Sequence, residues 1–260
     1  MYKTLKIDQD ARGVATLTLS REDKHNALSE EMLIELTDAA RVLGDDDSVR
    51  VVVLTGAGRS FCAGGDLKWM QDQVAADPTT RSLKARKLAE MLQAMNTLPK
   101  PLIGRVQGQA FGGGVGMMSV CDVAVGVAGA KFGLTETRLG LIPATIGPYI
   151  VARMGEAMAR RVFMSSRIFD ADEAVTLGLL ARAVNPDELD TAVESEVAPY
   201  LNCAPGAVAD AKTLVRSLGA SITDALIDET VAALAGRWDS PESAEGIGAF
   251  FEKRKPNWVK

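Results

Sequence analysis

Three consecutive glycines, Gly112, Gly113 and Gly114, separate two apolar stretches, 102–106 and 115–120. The first has the length of a strand, and the second continues as a helix. With no side chains at the join, backbone N–H groups can approach a ligand closely. If the helix starts there, those groups are also its unpaired first-turn donors, and its dipole favours negative charge in front of them. The join therefore suits an anion, or an oxygen that becomes anionic during a reaction. The same glycines would also serve a tight strand-to-helix turn and nothing more. A second stretch is built the same way: the apolar run 51–54 leads to Gly64 and Gly65, then to Asp66 and a short helix-like segment. Further along, Glu136 is the one acidic residue in FGLTETRLGLIP. Backbone donors beside a single carboxylate are what acid–base chemistry next to a carbonyl needs.

Around these stretches the chain alternates. Runs 3–7 and 14–20 read as strands, the second suited to a place near a sheet edge. After the polar loop 21–27, Ser29 and the spacing of Met32, Leu33, Leu36, Ala40 and Leu43 predict a helix that stops at Gly44. Run 51–54 is apolar throughout, as in a strand buried on both faces of a parallel sheet. Leu83, Leu88, Met91, Leu92 and Met95 predict a long amphipathic helix closed by Pro99 and Pro101. Strand 102–106, a helix and strand 123–127 complete an α/β alternation with right-handed parallel crossovers. Helices are expected over 147–154 and 156–165, broken at Gly155. Asp170 and Glu173 have capping-box spacing, Gly178 ends that helix, and 181–184 is a short strand. From residue 186 the pattern is helical throughout, over 187–201, 205–218, 222–238 and 241–253. This change predicts a division into residues 1–200 and a helical C-terminal subdomain, 201–260.

Several function classes are excluded. The net charge is −5 and no basic run occurs, which argues against nucleic acid as partner. No apolar stretch approaches the roughly 18 residues of a membrane helix, and the first residues lack a signal-peptide core. Three cysteines, Cys62, Cys121 and Cys203, show no metal-like spacing and are odd in number, as expected of thiols in a reducing cytoplasm. His25 is the only histidine. This removes Ser–His–Asp and Cys–His catalysis and multi-histidine metal sites. No phosphate-loop or dinucleotide-binding glycine pattern is present.

The stretches KHNALS at 24–29, VVVLTGAGRSFCAGGDLK at 51–68, GQAFGGGVGMMSVCDVAV at 108–125 and KFGLTETRLGLIP at 131–143 resemble the crotonase (enoyl-CoA hydratase/isomerase) superfamily. FDADEAVTLGLL at 169–180 and the final AFFEKRKPNW also match, so the resemblance runs end to end in the same order and spacing. It implies a spiral of ββα turns, with residues 201–260 serving oligomerisation and site closure, assembled as homotrimers or dimers of trimers. It implies an acyl-CoA thioester substrate and no separate cofactor, since coenzyme A is part of the substrate. The backbone N–H groups of Gly65 and Gly113 would hold the thioester oxygen, and Glu136 would be the acid–base group. Lys24, His25, Ala27, Ala63, Asp66 and Leu67 would line the CoA. Asp66 could equally be a helix N-cap, and His25 an exposed loop residue without a ligand.

The hydratase pattern of that superfamily has two glutamates. The second falls on Glu136, but the first falls on Gly116. Gly116 and the segment PATIGPYI at 143–150 most resemble bacterial members acting on 3-methylglutaconyl-CoA and related branched substrates of leucine and terpene breakdown. Those acyl groups carry a second carboxylate. Arg138 is a candidate to pair with it, since guanidinium matches carboxylate; otherwise it points to solvent or a subunit interface. The expected reaction is addition of water to a 2,3-enoyl-CoA. The alternatives are a 3-enoyl to 2-enoyl isomerase, for which one carboxylate suffices, and an acyl-CoA-binding protein without turnover.

Overall fold

The computed structural model describes all residues, Met1–Lys260. Strands β1 (Leu5–Gln9) and β2 (Val14–Leu19) pair antiparallel, and helix α1 (Glu30–Asp45) follows them. Three similar turns come next. The first comprises β3 (Val51–Gly56), β4 (Ser60–Cys62), α2 (Leu67–Ala75) and α3 (Pro78–Thr97). The second comprises β5 (Leu102–Val106), β6 (Gln109–Phe111) and α4 (Gly113–Val120). The third comprises β7 (Val123–Val127), β8 (Lys131–Gly133) and α5 (Gly147–Phe163). After β9 (Ile168–Asp170), α6 (Ala171–Thr176) and β10 (Arg182–Val184) the chain is helical: α7 (Leu189–Leu201), α8 (Pro205–Leu218), α9 (Asp224–Trp238) and α10 (Pro241–Phe251).

In each turn the first strand enters one sheet and the second enters another. The larger sheet has the order β1-β2-β3-β5-β7-β10, and the smaller one β4-β6-β8-β9. Pairing from β2 through β10 in the larger sheet is parallel, with Val52 opposite Leu102 and Ile103 opposite Val123. This is the expected spiral of ββα turns. All of β3 is buried, as its unbroken apolar sequence requires.

Strand β2 lies near the sheet edge, as its pattern suggests, with β1 (LKIDQ) outside it as the edge itself. Two readings change. Strands β4, β6 and β8 were not foreseen, because three residues each are too few to show a period of two. Helix α1 runs through Gly44, where a Cβ would stand 3.1 Å from Pro99 Cδ; that glycine makes room for packing and does not stop the helix. The break at Gly155 is present, with φ at 73° inside α5. No helix is long and apolar enough to cross a membrane.

Two apolar clusters hold the elements together. The main one fills the space between the sheets and helices α1, α3, α4 and α5. A smaller one joins Ala85 and Ala89 of α3 to Leu141, to Val231, Leu234 and Trp238 of α9, and to Ile247 of α10. Helix α10 thereby lies on a 3-10 turn, Glu136–Leu139. The approach is close enough to need glycine on both sides. A Cβ on Gly246 would stand 2.6 Å from the carbonyl carbon of Leu139, and one on Gly140 would stand 2.4 Å from Glu242 O. Arg237 adds two hydrogen bonds to Gly140 O, at 3.0 and 2.7 Å.

Gly246→Ala should therefore push α10 off the turn and lower stability by roughly 1–3 kcal/mol. Gly248→Ala is the control: its Cβ would meet nothing nearer than Arg254 Nη2 at 3.9 Å, and stability should change by less than about 0.5 kcal/mol. Urea unfolding of both variants measures the difference.

Candidate active site

The strip from His25 to Leu28 is laid along residues 63–66 by three backbone bonds. Ala63 N donates to His25 O at 3.0 Å, Leu28 N to Gly64 O at 2.7 Å, and Asp66 N to Leu28 O at 3.1 Å. What fixes this strip is Asn26, which the sequence reading passed over. Asn26 is wholly buried with φ at 54°, a left-handed conformation that asparagine tolerates better than most residues. Its Oδ1 accepts from Arg21 N at 3.0 Å, and its Nδ2 donates to Ala57 O at 2.9 Å and Ser60 O at 2.8 Å. The available signal was an asparagine with buried-loop chemistry inside KHNALS.

The two glycine loops meet. A Cβ on Gly64 would stand 2.8 Å from Phe111 O and 3.7 Å from Gly113 N, and one on Gly114 would stand 2.4 Å from Cys62 O. No larger residue would let the loops lie this close. Gly113 is the first residue of α4, so its N–H is one of the donors that a helix leaves unpaired. The N–H of Gly65 is exposed and donates to no acceptor in the chain. Leu28 rests on Gly113, where a Cβ would come within 2.7 Å of Leu28 Cδ1.

Glu136 opens the 3-10 turn held by α10, and its carboxylate comes back over the second loop. A Cβ on Gly112 would stand 2.8 Å from Glu136 Oε1. Gly112 also has φ at 48°, so both sterics and backbone conformation call for glycine there. Oε2 is shut off from solvent and has no hydrogen-bond partner. Burial raises the carboxyl to about 7, and its own backbone N–H offsets only part of that. A carboxyl in this range is suited to take and return a proton near neutral pH.

Glu136, Gly65, Gly113 and Leu141 border two cavities. One, of about 90 Å³, is enclosed mainly by apolar groups, among them Leu28, Trp69, Ile142, Ile146, Leu234 and Trp238. The other, of about 440 Å³, is bordered also by Ala63, Phe111, Arg138 and Phe250. Arg138 is exposed, and its guanidinium makes no ion pair within the chain. The turn begins at Glu136, so the two side chains do not share a strand face, yet both reach this cavity.

Gly116 borders neither cavity. A Cβ there would stand 2.7 Å from Ile146 Cγ2 and 3.0 Å from Ile146 Cβ. Gly116, expected among the substrate-binding residues, is covered by Ile146, which borders the smaller cavity. Asp66 caps α2 by accepting from Lys68 N and Trp69 N, and it pairs with Arg21 at 2.8 Å. Burial pushes its carboxyl up, but Arg21 and the Trp69 and Lys68 N–H groups outweigh this and hold it below the ordinary range. His25 Nε2 lies 3.3 Å from Arg59 Nη2, which can only donate, so Nδ1 donates to Ser60 Oγ at 3.0 Å. His25 is thus half-buried rather than fully exposed, with its ring bonded to β4. Lys24 and Leu67 are exposed, and Ala27 is buried with its carbonyl accepting from Arg21 Nη1 at 2.5 Å. These residues border neither cavity.

The family profile described as Enoyl-CoA hydratase/isomerase matches residues 9–260. A crotonyl-CoA hydratase of Syntrophomonas wolfei is 30% identical, with 99% of this chain and 98% of that protein aligned. The crystal structure of an enoyl-CoA hydratase from Shewanella pealeana superposes with a TM-score of 0.81 at 36% identity, covering 99% of this chain and 97% of that one. An enoyl-CoA hydratase from Mycobacterium smegmatis gives 0.80 at 35% identity, covering 99% and 100%.

The raised carboxyl has a consequence for stability. Between the unfolded carboxyl's value, near 4.5, and about 7, the folded chain holds a proton that the unfolded chain has released. Stability must therefore fall as pH rises through this window. Glu136→Gln removes that loss. The variant should be more stable than the parent at pH 8, by roughly 3 kcal/mol, and so melt higher there, and the two should melt at nearly the same temperature at pH 4.5. Thermal melts at the two pH values test this.

Proposed function

The chain belongs to the enoyl-CoA hydratase/isomerase family, and from that premise we propose that it adds water reversibly to a 2,3-unsaturated acyl-CoA. The observation that carries the reading is the isolated carboxylate of Glu136 lying over Gly112, next to the N-terminus of α4 and the free N–H of Gly65. In this reading the thioester oxygen accepts from Gly65 and Gly113 N–H. Glu136 takes a proton from water as its oxygen bonds to C3. The electron pair of the double bond moves toward C2 and the thioester oxygen, where the two donors stabilise the enolate. Glu136 then returns the proton to C2. One water is consumed and nothing else is released. Coenzyme A enters as part of the substrate, and Lys24, His25, Ala27, Ala63, Asp66 and Leu67 are the proposed surface for it. Relatives named enoyl-CoA or crotonyl-CoA hydratase support this assignment.

For the acyl group, we take 3-methylglutaconyl-CoA as the substrate to test against crotonyl-CoA. Its support is Arg138, a cation without a partner at the cavity that holds Glu136. Assembly as a trimer or a pair of trimers belongs to the same reading. Helix α8 supports it, since the helix buries no residue and exposes Leu214, Val215 and Leu218. A second reading, isomerisation of 3-enoyl to 2-enoyl thioesters, is favoured by one observation. Ile146 fills the space over Gly116, so Glu136 works without a second carboxylate there, and a proton shuttle between C2 and C4 needs only one.

Mass analysis after incubation with each thioester should show a gain of one water. Glu136→Gln should lower that rate by about 10²–10⁴; an unchanged rate would remove Glu136 from the mechanism. Arg138→Ala should slow 3-methylglutaconyl-CoA by about tenfold or more and leave crotonyl-CoA nearly unchanged. Conversion of 3-hexenoyl-CoA to 2-hexenoyl-CoA with no hydration of either thioester would select the isomerase. The base must be ionised to act, so kcat/KM for hydration should climb with pH and level off above about 7.

A further inference from the structure

The small cavity beside Glu136 has one polar feature that the proposed reaction does not use. Trp69, in the third position of α2, borders this cavity. Its Nε1 is buried and has no acceptor anywhere in the protein. The indole is oriented by its benzene edge, whose Cε3 and Cζ3 lie 3.8 and 3.9 Å from where a Gly65 Cβ would be. Nε1 is on the opposite side of the ring system from those atoms, so the N–H is directed away from Gly65. Most of the cavity wall is apolar, from Leu28, Leu88, Ile142, Ile146 and Leu234, and its two side-chain acceptors, Glu136 and Thr145, take no bond from Nε1. One turn further along the same face, Gln73 is 1% exposed and also buries a side-chain N–H, at Nε2, without a partner. Leaving a buried donor unpaired is unfavourable, and native proteins rarely do so without a functional reason.

We propose that Trp69 Nε1 is a specificity donor for an oxygen atom on the acyl chain, beyond the reacting double bond. The substrate class is then an acyl-CoA with a hydrogen-bond-accepting oxygen in its tail, a carbonyl or a carboxylate, and not a plain hydrocarbon chain. This inference rests on the acyl-CoA reading above and adds to it the chemistry of the tail. A phenyl ring would keep much of the apolar wall while removing the donor, so Trp69→Phe isolates the N–H. A site built to bond a substrate oxygen discriminates strongly against the analogue that lacks it, because its own polar group is then left bare.

Saturated thioesters keep the test independent of turnover. Binding of 5-oxohexanoyl-CoA, glutaryl-CoA and 5-methylhexanoyl-CoA would be measured by calorimetry on the intact protein and on Trp69→Phe. The third thioester places a methyl group where the first has its oxygen. At least one oxygenated thioester should bind the parent protein about tenfold or more tightly than 5-methylhexanoyl-CoA. Trp69→Phe should erase that preference and leave 5-methylhexanoyl-CoA within about threefold of its parent value. Which oxygenated thioester holds the advantage assigns the carbonyl or the carboxylate. The inference is overturned by equal binding of all three to the parent, by an equal loss for all three in Trp69→Phe, or by a preference that survives Trp69→Phe, as one for glutaryl-CoA held by Arg138 would. Unchanged thermal unfolding of Trp69→Phe excludes a loss through misfolding, and Trp69→His, which keeps a ring N–H, should recover part of the preference. If these preferences hold while no enoyl thioester gains water, the hydratase reading fails and the tail assignment stands.

Discussion

An ionised carboxylate prefers water, and holding one among apolar groups must be sustained by contacts elsewhere. At Glu136 that burden falls on geometry remote from the carboxyl itself. The turn that carries it is pressed from outside by α10, glycine against backbone, and anchored through Arg237 to Gly140. The carboxyl then closes over Gly112, in a space that only glycine leaves open. The same glycine run that starts α4 thus also accommodates the carboxyl of Glu136. Backbone donors and carboxylate can be juxtaposed because the glycines put no side chain between them.

Much of this was readable from the sequence where residue type leaves little freedom. Glycine runs after apolar strands marked both loops, and an isolated glutamate in an apolar segment marked the buried carboxyl that lies over Gly112. Long periodic segments such as α3 and uniformly apolar β3 were evident because many residues repeat the same message. Three features escaped. Strands of three residues carry no readable period. Asn26 acts through three hydrogen bonds to residues that only the fold brings near. Ile146 covers Gly116 from thirty positions away, and no local pattern announces such a contact.

That last contact changes how the absent second glutamate is understood. A glycine in place of a carboxylate might leave a hole; here the hole is filled by a branched aliphatic side chain from the segment ahead of α5. The cavity wall beside Glu136 is apolar at that point, which strengthens the electrostatic interactions that remain. Gly116 and Ile146 form one packing unit, and neither is interpretable without the other.

Helix α10 lies more than a hundred residues after the turn it presses. During synthesis the chain emerges from its N-terminal end, and the spiral can form most of its sheet contacts before α9 and α10 have left the ribosome. The turn with Glu136 would at that stage lack its outer support. A nascent chain can therefore have its sheets in place while the Glu136 turn still lacks the outer support that the 11 residues of α10 bring. Because α10 follows that turn by so many residues, the pocket around Glu136 is among the last parts of the spiral to be fixed.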